Sequence, residues 1–133
     1  QRIDSSILIL GDTASSWFMR GVINSMLQNY SVAIASYDSV VKYNPGFLYA
    51  YFNRAASRVE RDEFVYFDQQ YQNTITISMT SGSQPVKKLP PPNHRKSLKD
   101  YTRVIALYPG LPFTYYNRAN LKILIKDYQG AIN

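Results

Sequence analysis

The chain repeats itself, and that constrains its fold more than any other property. Displacing the sequence by 64 residues lays Tyr37–Ala55 over Tyr101–Ala119, and eight of the nineteen positions are identical. These are Tyr37/Tyr101, Val40/Val104, Pro45/Pro109, Gly46/Gly110, Tyr51/Tyr115, Asn53/Asn117, Arg54/Arg118 and Ala55/Ala119. Val41/Ile105, Tyr49/Phe113 and Phe52/Tyr116 are conservative replacements. A match this dense around Pro-Gly and Asn-Arg-Ala marks an internal duplication, and duplicated units of this size bury their apolar faces by stacking on one another.

A shorter period lies inside the first. Trp17 and Tyr51 stand 34 residues apart, and each opens an aromatic pair, Trp17-Phe18 and Tyr51-Phe52. After Trp17 come Gly21, Asn29-Tyr30, Ala33, Tyr37, Val40 and Pro45. Small residues at Gly21 and Ala33 let two helices approach closely, with Trp17 and Tyr37 filling the space on either side of the contact. Gln28-Asn29 supplies a short polar turn. Asn44-Pro45-Gly46 stops the second helix, because proline removes a backbone donor and glycine accepts left-handed geometry. The apolar spacing predicts helices over about 14–27 and 31–43.

This order resembles the tetratricopeptide repeat, a 34-residue unit whose aromatic, small, small, aromatic and proline positions are met by Trp17, Gly21, Ala33, Tyr37 and Pro45. Arg20 and Asn24 depart from the Leu and Tyr of that pattern. The resemblance divides the chain into an N-terminal extension, 1–13, and a helical domain, 14–133. Within the domain lie a first repeat at about 14–47, a second at about 48–111 and a partial third at about 112–133. The 64-residue displacement exceeds the 34-residue period by 30, so the second repeat carries an insertion, about 62–93, between its helices.

The resemblance implies an all-α fold of antiparallel helical hairpins stacked as a right-handed solenoid. The first helices of such a stack line a concave groove that holds a protein or peptide. Carried over position by position, the groove residues are Phe18, Val22, Met26, Tyr49, Phe52, Ala56, Val59, Phe113, Tyr116, Asn120 and Ile123. Their aromatic character suits an apolar peptide, a helix, or the chain's own insertion. Some family members grip a terminal carboxylate with Lys and Asn on this face. Asn120 fits that mode, but the Lys residues are missing.

The third copy runs from Phe113 to Ile125, turns at Lys126-Asp127-Tyr128, and places Ala131 at the small-residue slot of a second helix. Tyr115, Ala119 and Ile123 are then left for a partner helix, so the expectation is self-association or further repeats. The chain begins at Gln1 rather than Met, as a fragment or mature form would.

The insertion has two halves. Asp62–Met79 is rich in aromatic and aliphatic residues, and Thr74–Thr80 alternates Thr or Ser with Ile and Met, which predicts a short strand or extended segment. Ser81-Gly82-Ser83 and Pro90-Pro91-Pro92 favour a flexible tip followed by a stiff run. The insertion reads as a surface loop that packs its aromatics on the helices, with a partner-binding arm or lid as the alternative. Ile7–Leu10 in the extension is read as an extra strand or the remnant of an earlier helix.

The net charge of +6 is concentrated in one place. Lys87, Lys88, Arg95, Lys96, Lys99 and Arg103 against Asp100 supply +5 of it. This segment is read as a solvated basic patch. It also carries the alternative function, binding to an anionic surface or nucleic acid, although nucleic acid is not the expected partner.

Nothing in the sequence assembles a catalytic or metal-binding set. There is no Cys, one His, and no glycine-rich phosphate loop, so no cofactor, metal or enzymatic activity is expected. Glu60, Asp62 and Glu63 alternate with Arg58 and Arg61 and are read as a salt-bridged helix face. His94 is placed in a loop without an acidic neighbour. Arg54 and Arg118, with Arg20 at the same slot, are read as packing their stems between helices and capping carbonyls. No apolar run approaches the roughly 18 residues of a membrane span.

Overall fold

A computed structural model describes residues 13–80 and 90–132. Five α-helices form in order: α1 (Thr13–Met26), α2 (Tyr30–Tyr43), α3 (Leu48–Thr80), α4 (Arg95–Leu107) and α5 (Pro112–Ile132). No strand occurs among the described residues, so the fold is all-α. Each helix packs on the next one in the chain, α1 on α2, α2 on α3, α3 on α4 and α4 on α5.

The first hairpin forms where the small residues predict it. Gly21 is buried on α1, and a methyl group there would lie 2.5 Å from Cε1 of the Tyr37 ring. Glycine is therefore what lets the helices close. Ala33, Tyr37, Val40 and Ala50 make the buried core, with Trp17, Phe18, Val22 and Phe47 packed against it. The hairpin turns at Leu27–Asn29, where Gln28 takes a left-handed φ of 62°. α2 stops at Asn44, and the Asn44 side chain accepts the backbone N–H of Gly46 at 3.1 Å. Tyr51 then donates its hydroxyl to the Pro45 carbonyl at 2.7 Å, which ties the start of α3 to that turn.

The second hairpin reuses the same positions with different chemistry. Ala55 takes the slot of Gly21, and Ser97 takes the slot of Ala33. The buried Ser97 hydroxyl donates to the Ala55 carbonyl at 2.9 Å. Ala55, Tyr101 and Leu121 form the second core, on which Phe52, Val59, Leu98 and Leu124 pack. Phe52 meets the Tyr101 and Phe113 rings edge-on, with centroids 5.5 and 5.1 Å away.

Two expectations are overturned. The insertion was expected to leave the helix near residue 62 and to form a strand over Thr74–Thr80, but α3 continues unbroken to Thr80. The stretch from Leu48 to Thr80 contains no Gly or Pro, and Thr74 satisfies its hydroxyl on the Gln70 carbonyl at 3.0 Å within the helix. A growing helix gains one hydrogen bond per residue, and this outweighs the weak preference of a short β-branched run. The turn expected at Lys126–Tyr128 is likewise absent, since α5 runs through it to Ile132. Tyr128 instead anchors this continuation to α3, by an edge-on contact with Tyr66 and a hydrogen bond to Glu63. The strand or helix remnant expected at Ile7–Leu10 lies outside the described residues.

Candidate binding surfaces

The residues expected to line a groove divide into two sets. Phe18, Val22, Phe52 and Val59 are partly buried against the two cores. Phe18 stacks between Tyr37 and Phe47, at centroid distances of 5.9 and 4.9 Å. These four serve the packing of the helices. Met26, Tyr49, Phe113, Tyr116 and Ile123 are exposed, Met26 by 78% and Tyr116 by 68%. Asn120 is exposed as well. Val59 and Asn120 come together with Ala56 and Leu124 in a shallow depression of about 270 Å³ where α3 meets α5. Phe113, Tyr116, Asn120 and Ile123 follow helical spacing on α5, so they share one face of it.

The basic segment builds a second surface. Lys87 and Lys88 lie outside the described residues. Arg95, Lys96, Lys99 and Arg103 are all exposed on α4, and none has a carboxylate within 4.0 Å among the described residues. Opposite them on α3 stand Arg54, Arg58 and Arg61, at a spacing that puts three guanidinium groups on one helix face. Two depressions, of about 730 and 640 Å³, run between α3 and α4 and share Arg58 and Lys96, so they join as one trench.

Asp100 holds the α3 arginines in place. Its carboxylate receives a two-pronged contact from Arg54, Nε at 2.9 Å and Nη2 at 2.7 Å, and a third bond from Arg58 at 3.0 Å. Arg54 spends its remaining nitrogen on Asp38 at 2.8 Å. Burial works against the Arg54 cation, but the hydrogen bonds and charges of Asp100 and Asp38 outweigh it and raise its pKa. Burial and the neighbouring Arg54 lower that of Arg58. Arg54 therefore binds carboxylates, and does not cap helix carbonyls as expected. Arg118, its repeat counterpart, reaches Thr102 at 3.4 Å and covers the Tyr115 ring. Arg20 covers the Trp17 ring at 5.0 Å.

His94 is not the bare loop residue of the sequence reading. It sits just before α4 with a left-handed φ of 54°, and its side chain is sealed from solvent. Nε2 lies 2.9 Å from Glu63 Oε2, and Glu63 Oε1 accepts the Tyr128 hydroxyl. Nδ1 has no partner. Glu63 thus links α3, the start of α4 and α5, while Arg61 pairs with Asp62 at 2.9 Å. Of the alternating charges of this stretch, Arg58 and Glu63 reach other elements, and only Arg61 and Asp62 form a salt bridge along α3.

Sequence reasoning missed two groups of residues. The spacing of Arg54, Arg58 and Arg61 was visible and would have extended the basic patch. Glu63 and Tyr128 carried no such signal, because their meeting depends on two helices running past their expected turns. Among the described residues no group of three His, Asp or Glu side chains could hold a metal ion, and no helix is long and apolar enough to cross a membrane. The chain matches no protein-family model, no curated protein and no solved structure.

Proposed function

We propose that the chain is a non-catalytic protein-binding module of the tetratricopeptide type, which takes an apolar peptide or helix on its first-helix face. One observation carries the reading. At the groove positions of α3 and α5, Tyr49, Phe113, Tyr116 and Ile123 stay exposed, while Val59 and Asn120 line a depression between the same two helices. Large apolar side chains left open to solvent in this way are the usual mark of an interaction site.

Stacking of repeats is supported by a contact made twice. Arg54 reaches Asp38 and Arg118 reaches Thr102, each across a separation of 16 residues.

An array of peptides varied in aromatic and aliphatic content, probed with the whole chain and with a Tyr116→Ala/Ile123→Ser variant, tests the reading. Binding to apolar peptides is expected and should weaken at least tenfold in the variant. Ligands that bind both proteins equally would move the site elsewhere.

Self-association through α5 is the second reading. Ala119 occupies the slot of Gly21 and Ala55, both covered by a second helix, yet Ala119 is exposed and Tyr115 beside it is 41% exposed. Sedimentation should then show dimers that Ala119→Glu abolishes.

A further inference from the structure

The trench between α3 and α4 is built for a ligand different from the one proposed above, and it lies on different residues. The N-terminal half-turn of a helix carries partial positive charge, which favours acidic side chains and repels basic ones. α4 breaks this rule. Its first turn holds no acidic residue, while Arg95 and Lys96 open the helix and Lys99 follows one turn later. No carboxylate lies within 4.0 Å of Arg95, Lys96, Lys99 or Arg103 among the described residues. On the opposite wall, Arg54 and Arg58 are already neutralised by Asp38 and Asp100. Arg95, Lys96 and Lys99 are thus set against the start of their own helix with no ion-pair partner among the described residues. A local conflict of this kind is expected where an external partner resolves it.

The partner's chemistry follows from the trench. Lys96 and Arg103 are seven residues apart on α4. At about 1.5 Å per residue they span about 10 Å, which about three residues of extended polypeptide would match. Beyond Lys96, Val65, Tyr66 and the prolines 90–92 add apolar surface to the wider depression, beside the paired Arg61 and Asp62. A single-stranded nucleic acid would need open aromatic faces for its bases. Tyr51, 9% exposed beneath Arg54 and Arg103, offers none, and Tyr66 already holds two ring neighbours, Phe67 and Tyr128.

We infer that this trench binds an extended acidic peptide segment, with carboxylates on Lys96, Lys99 and Arg103 and an apolar side chain beside Val65 and Tyr66. The cationic start of α4 is retained for that carboxylate ligand at the expense of the helix's own stability.

Fluorescence anisotropy on the whole chain tests this with a labelled decapeptide of alternating Glu that ends in Leu-Phe. The comparison ligands are the same peptide with Gln for Glu and an oligothymidylate of equal charge. The Glu peptide should bind, and the Gln peptide at least tenfold more weakly. Lys96→Glu/Lys99→Glu should lose at least tenfold in affinity while its melting temperature holds or rises, since the helix conflict is relieved. Lys122→Glu/Lys126→Glu on α5 should bind like the parent. No binding of the Glu peptide, equal binding of the Gln peptide, tighter binding of oligothymidylate, or an unaffected Lys96/Lys99 variant would each overturn the inference. Tyr116→Ala/Ile123→Ser should leave this affinity unchanged, which separates the trench from the first-helix face.

Discussion

Gly21 lies so close to Tyr37 that a single added carbon would sit 2.5 Å from the ring. Tyr37 is 1% exposed and cannot swing away. Gly21→Ala should therefore destabilise the chain by about 1–3 kcal/mol, the usual cost of overpacking, even though alanine is the better helix former. Urea denaturation with an unchanged slope checks this. A neutral or stabilising effect would mean the α1–α2 approach is looser than described.

Trp17 packs on the same core beneath Arg20. Trp17→Ala should cost about 3 kcal/mol, the low end for a large aromatic because part of the ring stays exposed. Thermal unfolding should show it as a drop of several degrees.

Asp100 is nearly buried, and two guanidinium groups depend on it. Asp100→Ala should cost about 3–5 kcal/mol, because it leaves cations desolvated without a partner. Adding Arg54→Met to that variant should recover part of the loss. A double-mutant cycle with no coupling would contradict the network.

Much of this fold is legible in the sequence. Gly21, Ala33, Tyr37 and Pro45 announce the first hairpin, because close packing and helix termination each demand particular residue types at particular spacings. The matched Pro109 and Gly110 mark the end of the second, while the Ser97–Ala55 contact that closes it emerges only from the structure. The end of α3 was missed because no Gly or Pro interrupts it before Thr80, and a helix with no stop signal continues; α5 runs on through Gly130, held to α3 by Tyr128. The Thr-Ile alternation of 74–77 is a local preference that this continuity overrides. For the binding surfaces, the α4 cations were plain from composition. The division of the groove residues into packed and exposed sets was not, since periodicity alone cannot say which side of an aromatic position the next helix covers.

The hydroxyl of Tyr101 is held well above the ordinary tyrosine value, at about 12, first by burial and then by the charges of Asp100 and Glu60. A folded value above the unfolded one means a contribution to stability that is complete below about pH 10 and lost as pH rises towards 12. Tyr128 and Tyr37 are shifted in the same direction, chiefly by burial. The melting temperature should therefore fall above pH 10, less steeply in Tyr101→Phe. A spectrophotometric titration in which all twelve tyrosines ionise together near pH 10 would contradict this.

Glu63 joins His94 to Tyr128 across three helices. Glu63→Ala leaves the sealed His94 and the half-buried Tyr128 without this partner and should cost about 1–3 kcal/mol. Hydrogen exchange should quicken at the end of α5 more than in α1 or α2, and uniform quickening would mean the link is not local.

On the proposed function, the exposed apolar residues of the first helices form the protein-binding face. Hydrogen–deuterium exchange on the whole chain, with and without the strongest apolar peptide from the array, reads that face residue by residue. New protection is expected along α3 between Leu48 and Val59 and along α5 between Pro112 and Leu124. Protection confined to α4, or no apolar ligand on the array, would contradict it.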